Sequence, residues 1–191
     1  MEYAAAVIIG YLLGSVPVAV LVARRHGVDL RRSGDGNPGA WNALEQLGAR
    51  RAWPAFVGDG AKALLAGLAG LTLAGWWGGW AGVAAAMVGH ALPVFARLRG
   101  GKSVMCFVGG AFALSPLAAL TALGVCGVVT AAASFKWGAR AGIFGYPALQ
   151  LAFDPVQRVA ATGALICIIG ALFAAGRLRG TARGPSPARS G

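Results

Sequence analysis

Residues 34–42 read Gly34-Asp35-Gly36-Asn37-Pro38-Gly39-Ala40-Trp41-Asn42, and three glycines with two asparagines in nine residues exceed what a simple link between helices needs. Successive glycines let backbone N–H groups converge on an anion. A plain turn is the competing reading, since Gly, Asn and Pro are ordinary turn residues. A second stretch runs from Gly89-His90 through Pro93 to Arg97-Leu98-Arg99-Gly100-Gly101-Lys102-Ser103. Gly100-Gly101-Lys102 at the start of a helix combines a permissive backbone, free N-terminal N–H groups and a point positive charge, the ingredients of a phosphate site. It is not a Walker A loop, because the spacing and the preceding strand are missing. Lys102 taken alone also reads as a basic anchor beside a membrane.

Asp59 and Lys62 are three residues apart, which places them on one helix face. Both fall about a third of the way into an apolar segment, where ionisable groups turn to the bundle interior and pair with each other. His90, near the inner end of the next segment, is a packing residue or a functional one on equal terms. Cys106, Cys126 and Cys167 all lie in apolar blocks and read as buried free thiols with no metal or disulfide spacing.

The elements that hold these groups are set by composition. With 191 residues, 57% hydrophobic and 12% charged, the chain has more apolar surface than one soluble domain can bury. The apolar residues fall into blocks suited to a hydrocarbon core of about 30 Å. Seven spans are expected, at roughly 3–23, 52–74, 78–97, 103–115, 117–134, 140–153 and 157–175, with the fourth and sixth short enough to be tilted or partly re-entrant. The fold class is therefore all-α, a polytopic integral membrane protein with glycine-rich loops on the cytoplasmic side. Residues 1–183 form one membrane domain and 184–191 a disordered tail rich in Gly, Pro and Ser. The first span is a retained helix and not a signal peptide, since its basic pair, Arg24 and Arg25, follows the apolar stretch.

The net charge of +11 raises the question of nucleic acid, and its distribution answers it. Of 17 Lys and Arg residues, 15 lie in residues 24–51, 97–102, 136–140 and the stretch from Arg177 onward. Seven crossings put those four segments on one side, the positive-inside pattern. The charge is a topology signal, and the partners it implies are anionic lipid headgroups or an anionic substrate, with no nucleic acid. Trp76, Trp77 and Trp80 cluster at the opposite interface.

Taken together, these stretches resemble the acyl-phosphate-dependent glycerol-3-phosphate acyltransferases of bacterial membranes, the PlsY family. The family's first motif, approximately Gly-Ser-Gly-Asn-x-Gly-Ala-Thr-Asn, aligns with Gly34 to Asn42. Gly14-Ser15-Val16-Pro17, Asp29-Leu30-Arg31, Asp59-Gly60-Ala61-Lys62, Gly89-His90-Ala91-Leu92-Pro93-Val94-Phe95 and Gly100-Gly101-Lys102 are also similar, in the same order. The resemblance is dense over residues 10–105. It implies a seven-helix enzyme of the bacterial plasma membrane that transfers an acyl group from acyl phosphate to the sn-1 hydroxyl of glycerol 3-phosphate, giving lysophosphatidic acid for phospholipid synthesis. Lys102, His90 and Asn37 become catalytic candidates. Gly34, Asp35, Gly36, Gly39, Asn42, Gly100 and Gly101 become the phosphate-binding set, with Ser15, Asp59 and Lys62 in support. No metal and no cofactor is implied, because an acyl phosphate is already an activated anhydride, and catalysis rests on positioning and charge stabilisation. The oligomeric state is not encoded in these motifs.

The chain departs from the family pattern where Asp35 replaces Ser, Trp41 replaces Thr and Glu45 replaces Arg. Near the C-terminus, Gly176-Arg177-Leu178-Arg179-Gly180-Thr181-Ala182 lacks the family's Asn and Glu. A carboxylate about 5 Å from a phosphate charge costs roughly 3 kcal/mol at an effective dielectric of about 20. Glycerol 3-phosphate is thus expected to bind poorly unless Asp35 and Glu45 point away or pair with Arg31, Arg32 or Arg50. The alternative on the same scaffold is a divergent paralogue with another acceptor or no activity. A polar transport path through Asp59, Lys62 and His90 is disfavoured, since the glycines and basic residues gather in surface loops.

Overall fold

The computed structural model describes residues 1–181, and every regular element among them is helical. The order is α1 (Glu2–Gly14), α2 (Val18–Arg25), α3 (Ala40–Leu47), α4 (Ala49–Ala91), a 3-10 turn (Val94–Ala96), α5 (Val104–Leu114), α6 (Pro116–Ala132), α7 (Phe135–Gln150) and α8 (Val156–Thr181). By length and composition, residues 2–25, 49–96 and 156–175 are each long and apolar enough to cross a membrane. The long α4 is two helices, since Ala74 and Gly75 leave helical geometry, Gly75 with φ of 63°. Its arms fold back on each other at glycine contacts: a Cβ on Gly70 would strike the Gly78 backbone, and one on Gly82 would strike that of Ala66. The expected separation of spans near residues 75–77 is therefore present as a hairpin corner.

Three expectations need correction. The first span is not one helix over 3–23, because Pro17 has no N–H to continue the ladder and disfavours helical geometry at Val16. The chain breaks between α1 and α2 at Ser15–Pro17. The sixth span begins at Phe135, well before residue 140, so Lys136 and Arg140 lie on α7 itself. The short fourth span is α5, with 11 residues, which extends about 17 Å and falls well short of a hydrocarbon core. The last helix continues to Thr181, beyond the expected end at 175, and the expected tail lies outside the described residues.

The core is built from small residues. Gly10 and Gly14 of α1 meet Gly82 and Ala86 on the second arm of α4, and Gly109 of α5 meets Gly60 on the first arm. Without a hydrophobic driving force between helices in lipid, such close backbone approach supplies the packing energy. Met87, Cys106, Phe107, Tyr146 and Leu165 fill the centre. At the end opposite the glycine-rich loops, Trp76 Nε1 donates to the Leu114 carbonyl at 3.2 Å and Trp80 Nε1 to that of Ala161 at 2.8 Å. These indoles join helices as well as occupying an interfacial level. The helix directions bring residues 26–39, 92–103 and the α6–α7 connection to one end of the bundle.

Candidate active site

The loop between α2 and α3 is held by one buried side chain. Asn42 Nδ2 donates to the carbonyls of Leu30, Ser33 and Asn37, at 3.0, 2.9 and 3.0 Å. Its Nδ2 is thereby committed to shaping the loop, while its Oδ1 is buried without a partner. Gly34 and Gly36 adopt positive φ, 59° and 71°, and a Cβ on Gly34 would collide with the side chains of Asn42 and Gln46. Glycine is needed at Gly34 for both reasons. Asp35 Oδ1 accepts the Asn37 N–H at 3.0 Å, a local turn that leaves Oδ2 to reach elsewhere. Gly39 caps α3 in an extended conformation.

Across from this loop, residues 92–103 return from α4 to α5. Lys102 Nζ lies 3.1 Å from Asp35 Oδ2 and 4.6 Å from the centre of the Phe173 ring on α8. Arg31 fastens the same two loops at another point, with one guanidinium nitrogen donating to the carbonyls of Ala96 and Arg99 at 3.0 and 2.9 Å. Ser15, fully buried at the α1–α2 break, accepts the Val94 N–H at 3.3 Å. Ser103 donates to the Met87 carbonyl at 2.6 Å and anchors the start of α5.

Beneath these loops is a small cleft lined by Pro38, Arg99, Gly100, Gly101, His90, Asp59 and Lys62 among others. Lys62 Nζ contacts the Val16 carbonyl at 2.9 Å, His90 Nδ1 at 2.8 Å and Asp59 Oδ1 at 2.9 Å. The α1–α2 break thus presents a backbone carbonyl to a buried cation. An ammonium only donates, so Nδ1 of His90 accepts and Nε2 carries the ring proton. That nitrogen faces Gly101, where a Cβ would fall on it. Asp59 and Lys62 pair as their spacing implies, and His90 joins them. Asp59 Oδ2 is buried without a partner.

The expected residues therefore fall into two groups. Asp35 and Lys102 meet at the rim with Phe173, while Asp59, Lys62 and His90 form the floor under Gly100 and Gly101. The substituted carboxylates are both engaged. Asp35 pairs with Lys102, not with Arg31, Arg32 or Arg50. Glu45 accepts from Trp41 Nε1 at 2.8 Å, and Trp41 stacks on Phe135 with ring centres 5.6 Å apart and planes 3° from parallel. Sequence reasoning placed no weight on Phe173, and no local signal marks a residue 71 positions from its partner. It also missed the bracing role of Arg31, whose only signal was its place in the Asp29-Leu30-Arg31 stretch.

A family profile described as glycerol-3-phosphate acyltransferase matches residues 4–181. The chain belongs to this family. A glycerol-3-phosphate acyltransferase of Symbiobacterium thermophilum is 40% identical over 136 residues, covering 71% of this chain and 67% of the relative. One of Rubrobacter xylanophilus is 44% identical over 111 residues, covering 58% of this chain and 56% of the relative. The alignments thus span little more than half to two thirds of these relatives. Among solved structures, PlsY, an integral membrane glycerol 3-phosphate acyltransferase, matches in its glycerol 3-phosphate form with a TM-score of 0.79 and 28% identity. That match covers 96% of this chain and 92% of PlsY. The lysophosphatidic acid form matches with a TM-score of 0.76. The chain shares the fold of an integral membrane acyltransferase, and its apolar helices fit that setting. The carboxylates of Asp35 and Glu45 are both bound to neighbours in this chain.

Proposed function

We propose that this chain transfers a fatty acyl group from acyl phosphate to the sn-1 hydroxyl of glycerol 3-phosphate. The hydroxyl oxygen bonds to the acyl carbonyl carbon, the anhydride C–O bond breaks, and the hydroxyl proton ends on the departing phosphate. The products are lysophosphatidic acid and inorganic phosphate. The observation that carries this reading is the meeting of Lys102 with the glycine-rich loop at Asp35, over a floor that turns His90 Nε2 toward Gly101. A substrate phosphate takes the place of the Asp35 carboxylate on Lys102. The backbone N–H groups of Gly34 and Asp35 and the side-chain amide of Asn37 supply further donors, whereas those of Gly36, Gly39, Gly100 and Gly101 already donate to the carbonyls of Ser33, Asn37, Ala91 and His90 and hold the two loops in shape. His90 Nε2–H is positioned to stabilise charge on the acyl oxygen or on the leaving phosphate. Asp59 and Lys62 fix its tautomer from below. Gly34, Gly36 and Gly39 shape the upper wall, and Ser15 and Asn42 hold the two loops in place.

The basic residues at the loop-bearing end support a plasma-membrane orientation with that end and the C-terminus cytoplasmic. Rescue of a bacterial strain that lacks its own glycerol-3-phosphate acyltransferase tests the reading. Growth supports it, and failure of a membrane-expressed chain to rescue contradicts it. A second reading, an altered acceptor on the same scaffold, is favoured by the occupation of Lys102 by Asp35. It requires that another hydroxyl compound outcompete glycerol 3-phosphate as acceptor for acyl phosphate.

A further inference from the structure

Beside the cleft over His90, and sharing Pro17 and Val20 with it, lies a second, larger cleft lined also by Leu21, Arg24, Arg31, Phe95 and Arg97. We propose that this second cleft binds the headgroup phosphate of an anionic membrane phospholipid between Arg24 and Arg97, with acyl chain against Leu21 and Phe95. The site is distinct from the rim that joins Asp35 to Lys102, neither of which lines it.

Four observations carry it. First, the charges are unbalanced: among the described residues no carboxylate lies within ion-pair distance of Arg24 or Arg97. The nearby Asp29 instead contacts Arg32, at 3.8 Å. Second, Arg31 has a buried Nε with no partner although its other end is bonded. Third, Arg97 and Leu98 hold left-handed backbone geometry, φ of 56° and 55°, which non-glycine residues adopt only where the surroundings enforce it. That turn places Arg97 on the wall of the cleft that Arg24 also lines. Fourth, Leu21 and Phe95 are exposed, 48% and 60%, at the end of a membrane span, so apolar and cationic surfaces adjoin at headgroup level. A soluble phosphate uses only the arginines, whereas a bilayer lipid uses both surfaces. A headgroup without its own cation fits best, because a choline would oppose the arginines.

The test compares lipid retained by the purified full-length protein after extraction from membranes of mixed phosphatidylglycerol and phosphatidylcholine, read by native mass spectrometry. At roughly a fivefold gain per arginine near an anionic surface, R24Q/R97Q is expected to lower phosphatidylglycerol enrichment by about tenfold or more, while K136Q/R140Q changes it by less than about twofold. Thermal unfolding midpoints of both variants, measured alongside, show that each folds. The proposal is overturned by unchanged enrichment in folded R24Q/R97Q. It is equally overturned by an equal loss in K136Q/R140Q, which would mean a general basic surface, or by displacement of the lipid by millimolar inorganic phosphate, which would mean a soluble-anion site. None of these readouts depends on the acyl acceptor, so failure here is distinguishable from failure of the acyltransferase reading.

Discussion

Asp35 and Lys102, 67 residues apart in sequence, meet with 3.1 Å between carboxylate and ammonium, so the cation best placed for a substrate phosphate carries a counter-ion of its own. The pair is partly open to solvent, with side-chain exposures of 45% and 26%. Water and salt therefore weaken it to the range of a surface ion pair, about 0.5–1 kcal/mol. A phosphate that bonds Lys102 must displace the Asp35 carboxylate.

Asp35→Ser removes this competitor. The expected result is a several-fold fall in KM for glycerol 3-phosphate, about fivefold if the whole pair energy is recovered, with kcat little changed. Initial-rate kinetics at fixed acyl phosphate measure it, and a raised KM would show that the carboxylate assists binding.

Asn42→Ala removes the two Nδ2 hydrogens that are shared among the loop carbonyls of Leu30, Ser33 and Asn37. At about 1 kcal/mol each, the loop loses about 2 kcal/mol of local stability. Hydrogen exchange is expected to quicken in residues 30–39 while α5 and the α4 arms keep their protection. Loss of protection throughout the bundle would assign Asn42 to the global fold instead.

Lys62→Met leaves Asp59 buried without its cation, a change of about 3–5 kcal/mol. The unfolding midpoint should fall, and the paired change D59L/K62M should recover most of it by removing both charges. Acyltransfer should stay low in the pair, because the His90 ring loses the partner that sets its proton. Full activity in D59L/K62M would exclude any role for the floor in the reaction.

Gly101→Ala places a methyl on His90 Nε2. The expected outcome is a loss of kcat of about tenfold or more from misplacement of the ring and the Lys102 loop, with an unfolding midpoint lowered by overpacking that costs about 1–3 kcal/mol. Activity retained in Gly101→Ala would show that the ring proton does not face the reacting groups.

Much of this was legible in sequence, for physical reasons. Apolar block length marks the helical, membrane-embedded class, since lipid leaves few ways to satisfy a backbone. The Asp59–Lys62 pairing follows from helical spacing. The break at Pro17 was hidden because residues 3–23 are apolar throughout, and hydropathy does not register a missing N–H. Arg24 and Arg25 still end the span, now on α2. The fates of Asp35 and Glu45 were not legible either. Each is decided by a side chain whose place depends on the fold: Lys102 across the loop interface, and Trp41 held flat against Phe135 of α7. Local sequence alone left open whether the two carboxylates face a phosphate, point away or pair with Arg31, Arg32 or Arg50.

The most direct measurement is lysophosphatidic acid formation by the purified protein from acyl phosphate and glycerol 3-phosphate, beside Lys102→Ala. The unaltered chain is predicted to form the product without added metal, and Lys102→Ala to be slower by about a hundredfold or more, the scale of losing a charge-stabilising donor. No product from the unaltered protein, or an undiminished rate in Lys102→Ala, would contradict the account.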